Sequence, residues 1–145
     1  MNFASCDEKI AENGNYFMLP NVVFQLGLST GELATYAYLL RCEDRKTYQC
    51  YPSYKTIGQA IGKTKNAVKT YVDGLRDKGL IETKQTTITA KDGTVLNGSL
   101  RYTILPIENA LNVYNETQKY LSEIESRRQK IRQLALKKVV TFKAG

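Results

Sequence analysis

The spacing of apolar and polar residues changes several times along the chain, and each change marks an element. Tyr16 to Leu19 is an apolar run ended by Pro20, which reads as a short strand, and Asn21 to Gly27 then suits a helical turn or two closed by glycine. Ser29 and Glu32 stand three apart. At that spacing hydroxyl and carboxylate satisfy each other's free backbone N–H groups, so a helix is predicted to start there and to reach about Cys42. Leu33, Tyr36, Ala37 and Leu40 recur at the spacing of one helical face and are its predicted buried side. After the polar Glu43 to Lys46, Tyr48 to Tyr51 is a β-prone run ended by Pro52, suited to an edge strand. Ser53 caps a second, short helix whose apolar residues are Tyr54, Ile57, Ala60 and Ile61, and Gly62 stops it. Thr64 caps a third, with Ala67, Val68, Tyr71, Val72 and Leu75 inward and Gly79 at the terminating position.

Two β-prone runs follow, Leu80 to Thr89 and Leu100 to Leu105, and they should pair as a hairpin. Between them Asp92-Gly93 and Asn97-Gly98 are both turn dipeptides, so a long tip is expected. From Pro106 a helical rhythm runs without glycine or proline to about Val140, roughly 50 Å at 1.5 Å per residue. That is longer than a small domain can cover. Ile107, Tyr114, Leu121, Arg128 and Ala135 form one seven-residue series and Ala110, Thr117, Ile124 and Ile131 its companion, an imperfect heptad. Such a helix can dimerise as a coiled coil, lead into a further domain or fold back. Homodimerisation through 106–140 is the favoured reading.

The fold class expected is therefore α+β: a winged helix-turn-helix domain over 29–105, preceded by a small attachment over 1–28 and followed by a long basic amphipathic helix over 106–145. In that arrangement the second helix braces the third, which lays its exposed face in a major groove wide enough to admit it. With Val68, Tyr71, Val72 and Leu75 inward, Asn66, Lys69, Thr70 and Asp73 turn outward as candidate base readers. Asparagine suits adenine, threonine a thymine methyl and aspartate the cytosine amino group. Ser53, Lys55, Lys63, Thr64, Lys65 and Arg76 are candidates for phosphate contact, as are Lys84, Lys91 and Arg101 on the hairpin that would be the wing. A blander reading has Asp73 and Asp77 merely balancing Lys69 and Arg76 on a solvated helix. Tyr54 and Tyr71 fall within apolar stripes and read as core.

Charge sharpens this picture. Residues 1–52 carry four basic and six acidic side chains, 53–105 nine against four, and 106–145 eight against four, within a net +7. A positive excess confined to the middle and end favours a polyanion there, double-stranded DNA above all. Arg127, Arg128, Lys130, Arg132, Lys137 and Lys138 on the last helix could add phosphate contacts or form a solvated face. With no histidine in the chain, imidazole-based catalysis and histidine-ligated metal sites are excluded. Cys6, Cys42 and Cys50 are too few for a four-thiolate zinc site and read as reduced thiols of a cytoplasmic protein. No apolar run is long enough to span a bilayer, and there is no phosphate-binding glycine loop or carboxylate cluster for two-metal cleavage. Neither an enzyme, nor a cofactor, nor a small-molecule ligand is expected.

Tyr16-Phe-Met-Leu-Pro-Asn21, Gly27-Leu-Ser29, Tyr51-Pro-Ser53, Thr56-Ile57-Gly58, Asn66-Ala-Val68, Leu75 and Gly79-Leu-Ile81 together resemble the bacterial winged helix-turn-helix family found at the N-terminus of plasmid and mobile-element replication initiators. The resemblance spans about three fifths of the chain. It implies double-stranded DNA binding through the Thr64 to Lys78 helix, in transcriptional control or replication initiation. The other class in contention is a winged-helix adaptor that binds protein without reading DNA. Six basic residues between Lys55 and Lys78, against Asp73 and Asp77 alone, favour DNA.

Overall fold

A computed structural model describes residues 16–144, with residues 140–144 by backbone alone. Cys6 and the rest of the polar start, to which the expected N-terminal attachment in part belongs, lie outside the described residues. A 3-10 turn, Asn21–Gln25, is followed by α1 (Thr30–Cys42), β1 (Gln49–Cys50), α2 (Tyr54–Ile61), α3 (Lys65–Asp77), β2 (Ile81–Thr89), β3 (Val95–Ile104) and α4 (Ile107–Ala144). This is the α+β winged helix-turn-helix followed by a long C-terminal helix. One compact unit extends through Ala110, and Leu111–Gly145 forms a second.

Three predicted caps are present. The Ser29 hydroxyl accepts from the Glu32 amide at 3.2 Å and the Glu32 carboxylate from the Ser29 amide at 2.8 Å. Ser53 accepts from the Thr56 amide at 3.1 Å and Thr64 from the Ala67 amide at 3.2 Å. Each starts its helix by satisfying an amide that the helix leaves free. The core of the first unit joins Val23, Leu26, Tyr36, Leu39, Ile57, Val68, Val72, Leu75, Leu80, Ile81, Tyr102 and Ala110, all at most 4% exposed.

The antiparallel sheet has the order β1-β3-β2. Cys50 pairs with Tyr102 on one side of β3, and Ile81 with Ile104 and Lys84 with Arg101 on the other. Several expectations are corrected. Tyr16 to Leu19 is not a strand, since no neighbour among the described residues pairs with it, and only Gln49–Cys50 of the Tyr48 to Tyr51 run is β structure. The buried face of α1 is Gly31, Glu32, Thr35, Tyr36 and Leu39, whereas Leu33, Ala37 and Leu40 are half-buried. A glutamate and a threonine on the inner side displaced the apparent stripe. β3 begins at Val95, not Leu100, so the tip is only Ala90 to Thr94, closed by Gly93 at φ 86°. The second turn dipeptide serves differently: at Asn97-Gly98 the register shifts opposite Gln85/Thr87, a bulge rather than a turn. α4 continues past Val140 to Ala144.

Cys42 and Cys50 are free thiols. Burial pushes the Cys50 thiol up to about 12, and its Sγ donates to the Leu39 carbonyl at 3.8 Å, which makes it a packing residue rather than a nucleophile. Among the described residues no helix is long and apolar enough to cross a membrane.

Candidate nucleic-acid interface

The site begins with a sharp turn. Gly62 closes α2 at φ 72°, a left-handed conformation that a Cβ would strain, and the Lys63 amide donates to the Gly58 carbonyl at 2.9 Å. The Lys63 carbonyl lies so close to Gly58 that no side chain fits there. Two glycines thus press the turn onto α2, and Thr64 starts α3 immediately after it.

α3 has two unlike sides. Val68, Val72 and Leu75 are 0–1% exposed, while Lys65, Asn66, Lys69 and Thr70 are all exposed on the other side. The Thr70 hydroxyl donates back to the Asn66 main-chain carbonyl at 3.1 Å, and the Asn66 residue is exposed like its three neighbours. Ser53, Lys55, Lys63 and Thr64 are exposed at or next to the starts of α2 and α3.

Asp73 and Arg76 are more engaged than the rest. Arg76 contacts the Asp73 carboxylate at 3.2 Å, with both side chains about half exposed, and donates to the Thr83 hydroxyl of β2 at 3.3 Å. Arg76 therefore clips the end of α3 to the wing, and Asp73 holds it in place. Tyr54 and Tyr71 are half-buried, in keeping with a packing role. Burial, helped by the nearby Asp73 charge, raises the Tyr54 phenol above its ordinary range, and the Tyr71 ring fills the space where Gly31 lacks a side chain.

On the wing, Lys84 is exposed and stands directly opposite Arg101 in the ladder. Arg101 is half-buried with its Nε enclosed and without a hydrogen-bond partner among the described residues. Like charges facing each other across a sheet destabilise it, so an anion between them would be favourable. Lys91 is exposed at the tip.

One element of the site was not foreseen. Glu32, read from sequence only as a cap, also accepts from Lys78 Nζ at 2.7 Å, and Lys78 donates in turn to the Gly27 carbonyl at 3.2 Å. Its carboxylate occupies the space beside Gly74 of α3, where a Cβ would collide with it. Burial works to raise the Glu32 carboxyl, but the Lys78 and Ser29 donors outweigh it and hold the group below the usual carboxylate range. Gly31 and Gly74 let α1 and α3 approach, and Glu32–Lys78 locks them there. Lys78 is consequently spent inside the protein rather than offered to a partner. The available signal was a cap glutamate four residues before the inward-facing Tyr36, which puts it on the inner side.

Residues 26–81 match the family described as a helix-turn-helix domain, in agreement with the helix-turn-helix reading of the sequence. No curated protein sequence matches the chain. Among solved structures, a Methanosarcina mazei Go1 protein described as a possible transcriptional regulator is similar, with 13% identity, a TM-score of 0.47 and coverage of 80% of this chain and 97% of that one. A MarR-family transcriptional regulator from Silicibacter pomeroyi has 19% identity and a TM-score of 0.36, covering 74% of this chain and 61% of its own. The Staphylococcus aureus MepR–DNA complex has 14% identity and a TM-score of 0.40, with 92% of each chain covered.

Proposed function

We propose that this protein reads double-stranded DNA, with α3 in the major groove and the β2–β3 hairpin as a wing on flanking phosphates, and acts in transcriptional control or as the DNA-docking part of a plasmid or mobile-element replication initiator. The observation that carries this is the division of α3: Lys65, Asn66, Lys69 and Thr70 are exposed together on a helix whose opposite side is fully buried, directly after a turn fixed by Gly58 and Gly62. A helix held so firmly presents its outer side chains at fixed positions, which base readout requires. Asn66, Lys69 and Thr70 are the readers. Ser53, Lys55, Lys63, Thr64, Lys65, Lys84, Lys91 and Arg101 position the duplex, and Asp73 acts through Arg76. The protein works as a homodimer through the last helix, which sets two such surfaces on one duplex.

Fluorescence anisotropy with duplex DNA over a salt series tests the reading. Four to six neutralised phosphates give a log–log slope of roughly −3.6 to −5.4. Undetectable or salt-independent binding would overturn it in favour of a protein-binding adaptor.

A further inference from the structure

Among the described residues the second unit is helix alone, and it displays large apolar side chains: Tyr120 is 64% exposed, Leu121 50%, Ile131 65% and Leu134 59%. Isolated surface apolar residues need no explanation, but Tyr120, Ile131 and Leu134 recur on one side of the helix, with Leu121 beside them and the exposed Leu136 and Val139 away from it. Val113, Tyr120, Arg127 and Leu134 form one seven-residue series, and Thr117, Ile124, Ile131 and Lys138 a second. Alternating steps of three and four between them are the spacing of a two-helix seam. Thr117, Ile124 and Ile131 also belong to the heptad read from sequence; the strongly exposed Tyr120 and Leu134 shift its other half by one residue.

Charge indicates what covers this seam. Residues 111–125 carry Glu116, Glu123 and Glu125 against Lys119, whereas 127–138 carry Arg127, Arg128, Lys130, Arg132, Lys137 and Lys138 with no acid. The series bordering the seam reads Glu116, Glu123, Lys130, Lys137, two acids followed by two bases at intervals of seven. Border positions of this kind decide partner choice and orientation in paired helices.

We propose that the occupant is the same helix of a second copy, running antiparallel. In that orientation the border series faces itself in reverse, so Glu116 meets Lys137 of the second copy and Glu123 meets its Lys130, each twice by two-fold symmetry. The same register stacks Tyr120 on Ile131 and Thr117 on Leu134 across the seam. Arg127, near the centre, lays its aliphatic stem against Ile124 and keeps its guanidinium at the water edge. Opposed helix dipoles add to the attraction. A parallel pair instead sets the two cationic halves side by side over roughly 18 Å of helix. This inference rests on the homodimer of the proposed function and assigns its geometry.

Sedimentation equilibrium of the full chain tests it. The antiparallel pair dissociates more readily as salt rises, with Kd increasing about sixteenfold between 50 and 500 mM if each of four exposed ion pairs contributes about twofold. Lys130→Glu and Glu123→Lys each weaken the dimer severalfold, and the double swap Glu123→Lys/Lys130→Glu restores it. A parallel pair gives the opposite pattern: Kd falls with added salt, Lys130→Glu leaves association unchanged or tighter, and the double swap stays weak because the substituted lysine then faces Arg128 of the second copy. That result overturns the antiparallel geometry while keeping the dimer. A chain that is monomeric under all these conditions overturns the dimer itself, and with it this inference.

Discussion

Glu32→Gln is the substitution that most directly tests how the reading helix is seated. Glutamine keeps a side-chain carbonyl for the Ser29 amide, so the capping interaction survives and the shape beside Gly74 is nearly unchanged. What disappears is the charge that Lys78 meets at 2.7 Å, between a Glu32 side chain 8% exposed and a Lys78 side chain 38% exposed. An exposed pair is worth up to about 1 kcal/mol, and breaking a fully buried one costs about 3–5 kcal/mol. With one partner buried and the other able to rehydrate, the expected loss is about 1.5–2 kcal/mol, or a Tm lower by roughly 6–15 °C for a domain of this size. The loss must also depend on pH. Because the folded-state carboxyl is held below its ordinary value of 4.5, its contribution is complete above that value and is lost as pH falls through the folded one. Melting curves followed by circular dichroism at pH 7, 5.5, 4 and 3.5 should therefore show a constant gap between wild type and variant at the upper two values and a closing gap below. A gap that widens in acid, or a variant as stable as wild type at pH 7, would refute the reasoning.

Further expectations concern α3 and the wing. Asn66→Ala relaxes base preference at one or two positions, by about 1–3 kcal/mol if the lost contact is a bidentate adenine pair, and an unchanged site in selection from random duplexes would remove Asn66 from the readers. Lys84→Gln weakens binding to all sequences alike and makes the salt slope shallower by about one unit, yet stabilises the free protein by about 0.2–1 kcal/mol by relieving the charge opposite Arg101. Equal binding by the variant in anisotropy titrations would place Lys84 outside the interface. Val68→Asp, at a site 0% exposed, buries an unpaired carboxylate and abolishes the cooperative melt; a native-like melt would contradict the position of that side chain.

Features set by local chemistry were legible in the sequence. Ser29, Ser53 and Thr64 act on amides three residues away, and the exposed face of α3 follows from Val68, Val72 and Leu75 by helical geometry alone. Features set by tertiary pairing were not. The inner face of α1 was misplaced because Glu32 and Thr35 are buried despite their polarity, and it is the Lys78 ammonium from beyond α3, added to the Ser29 cap, that makes a buried Glu32 favourable. Asp92-Gly93 and Asn97-Gly98 carry equal turn signals in sequence. Their different fates depend on which residues of β2 lie opposite, a long-range matter. The pairing of Arg76 with Asp73 and of Lys78 with Glu32 was hidden for the same reason, since a charge count does not distinguish a cation offered to a partner from one already paired.

The bulge at Gln85/Thr87 divides the wing into two tiers of protection against solvent exchange. Below it, Ile81 and Tyr102 tie the ladder to the core, so the alternate amides between Ile81 and Gln85 that donate to β3 exchange deuterium only when the whole domain opens. Beyond it, Ile88, Val95 and Leu96 are 54–64% exposed, and the ladder from Thr87 to Thr89 has backbone bonds but no buried side chains to hold it. Those outer amides open locally at small cost, long before the domain unfolds. A duplex resting on the wing would slow them selectively and leave the inner tier unchanged, so exchange rates read along one strand would report where on the wing the DNA ends.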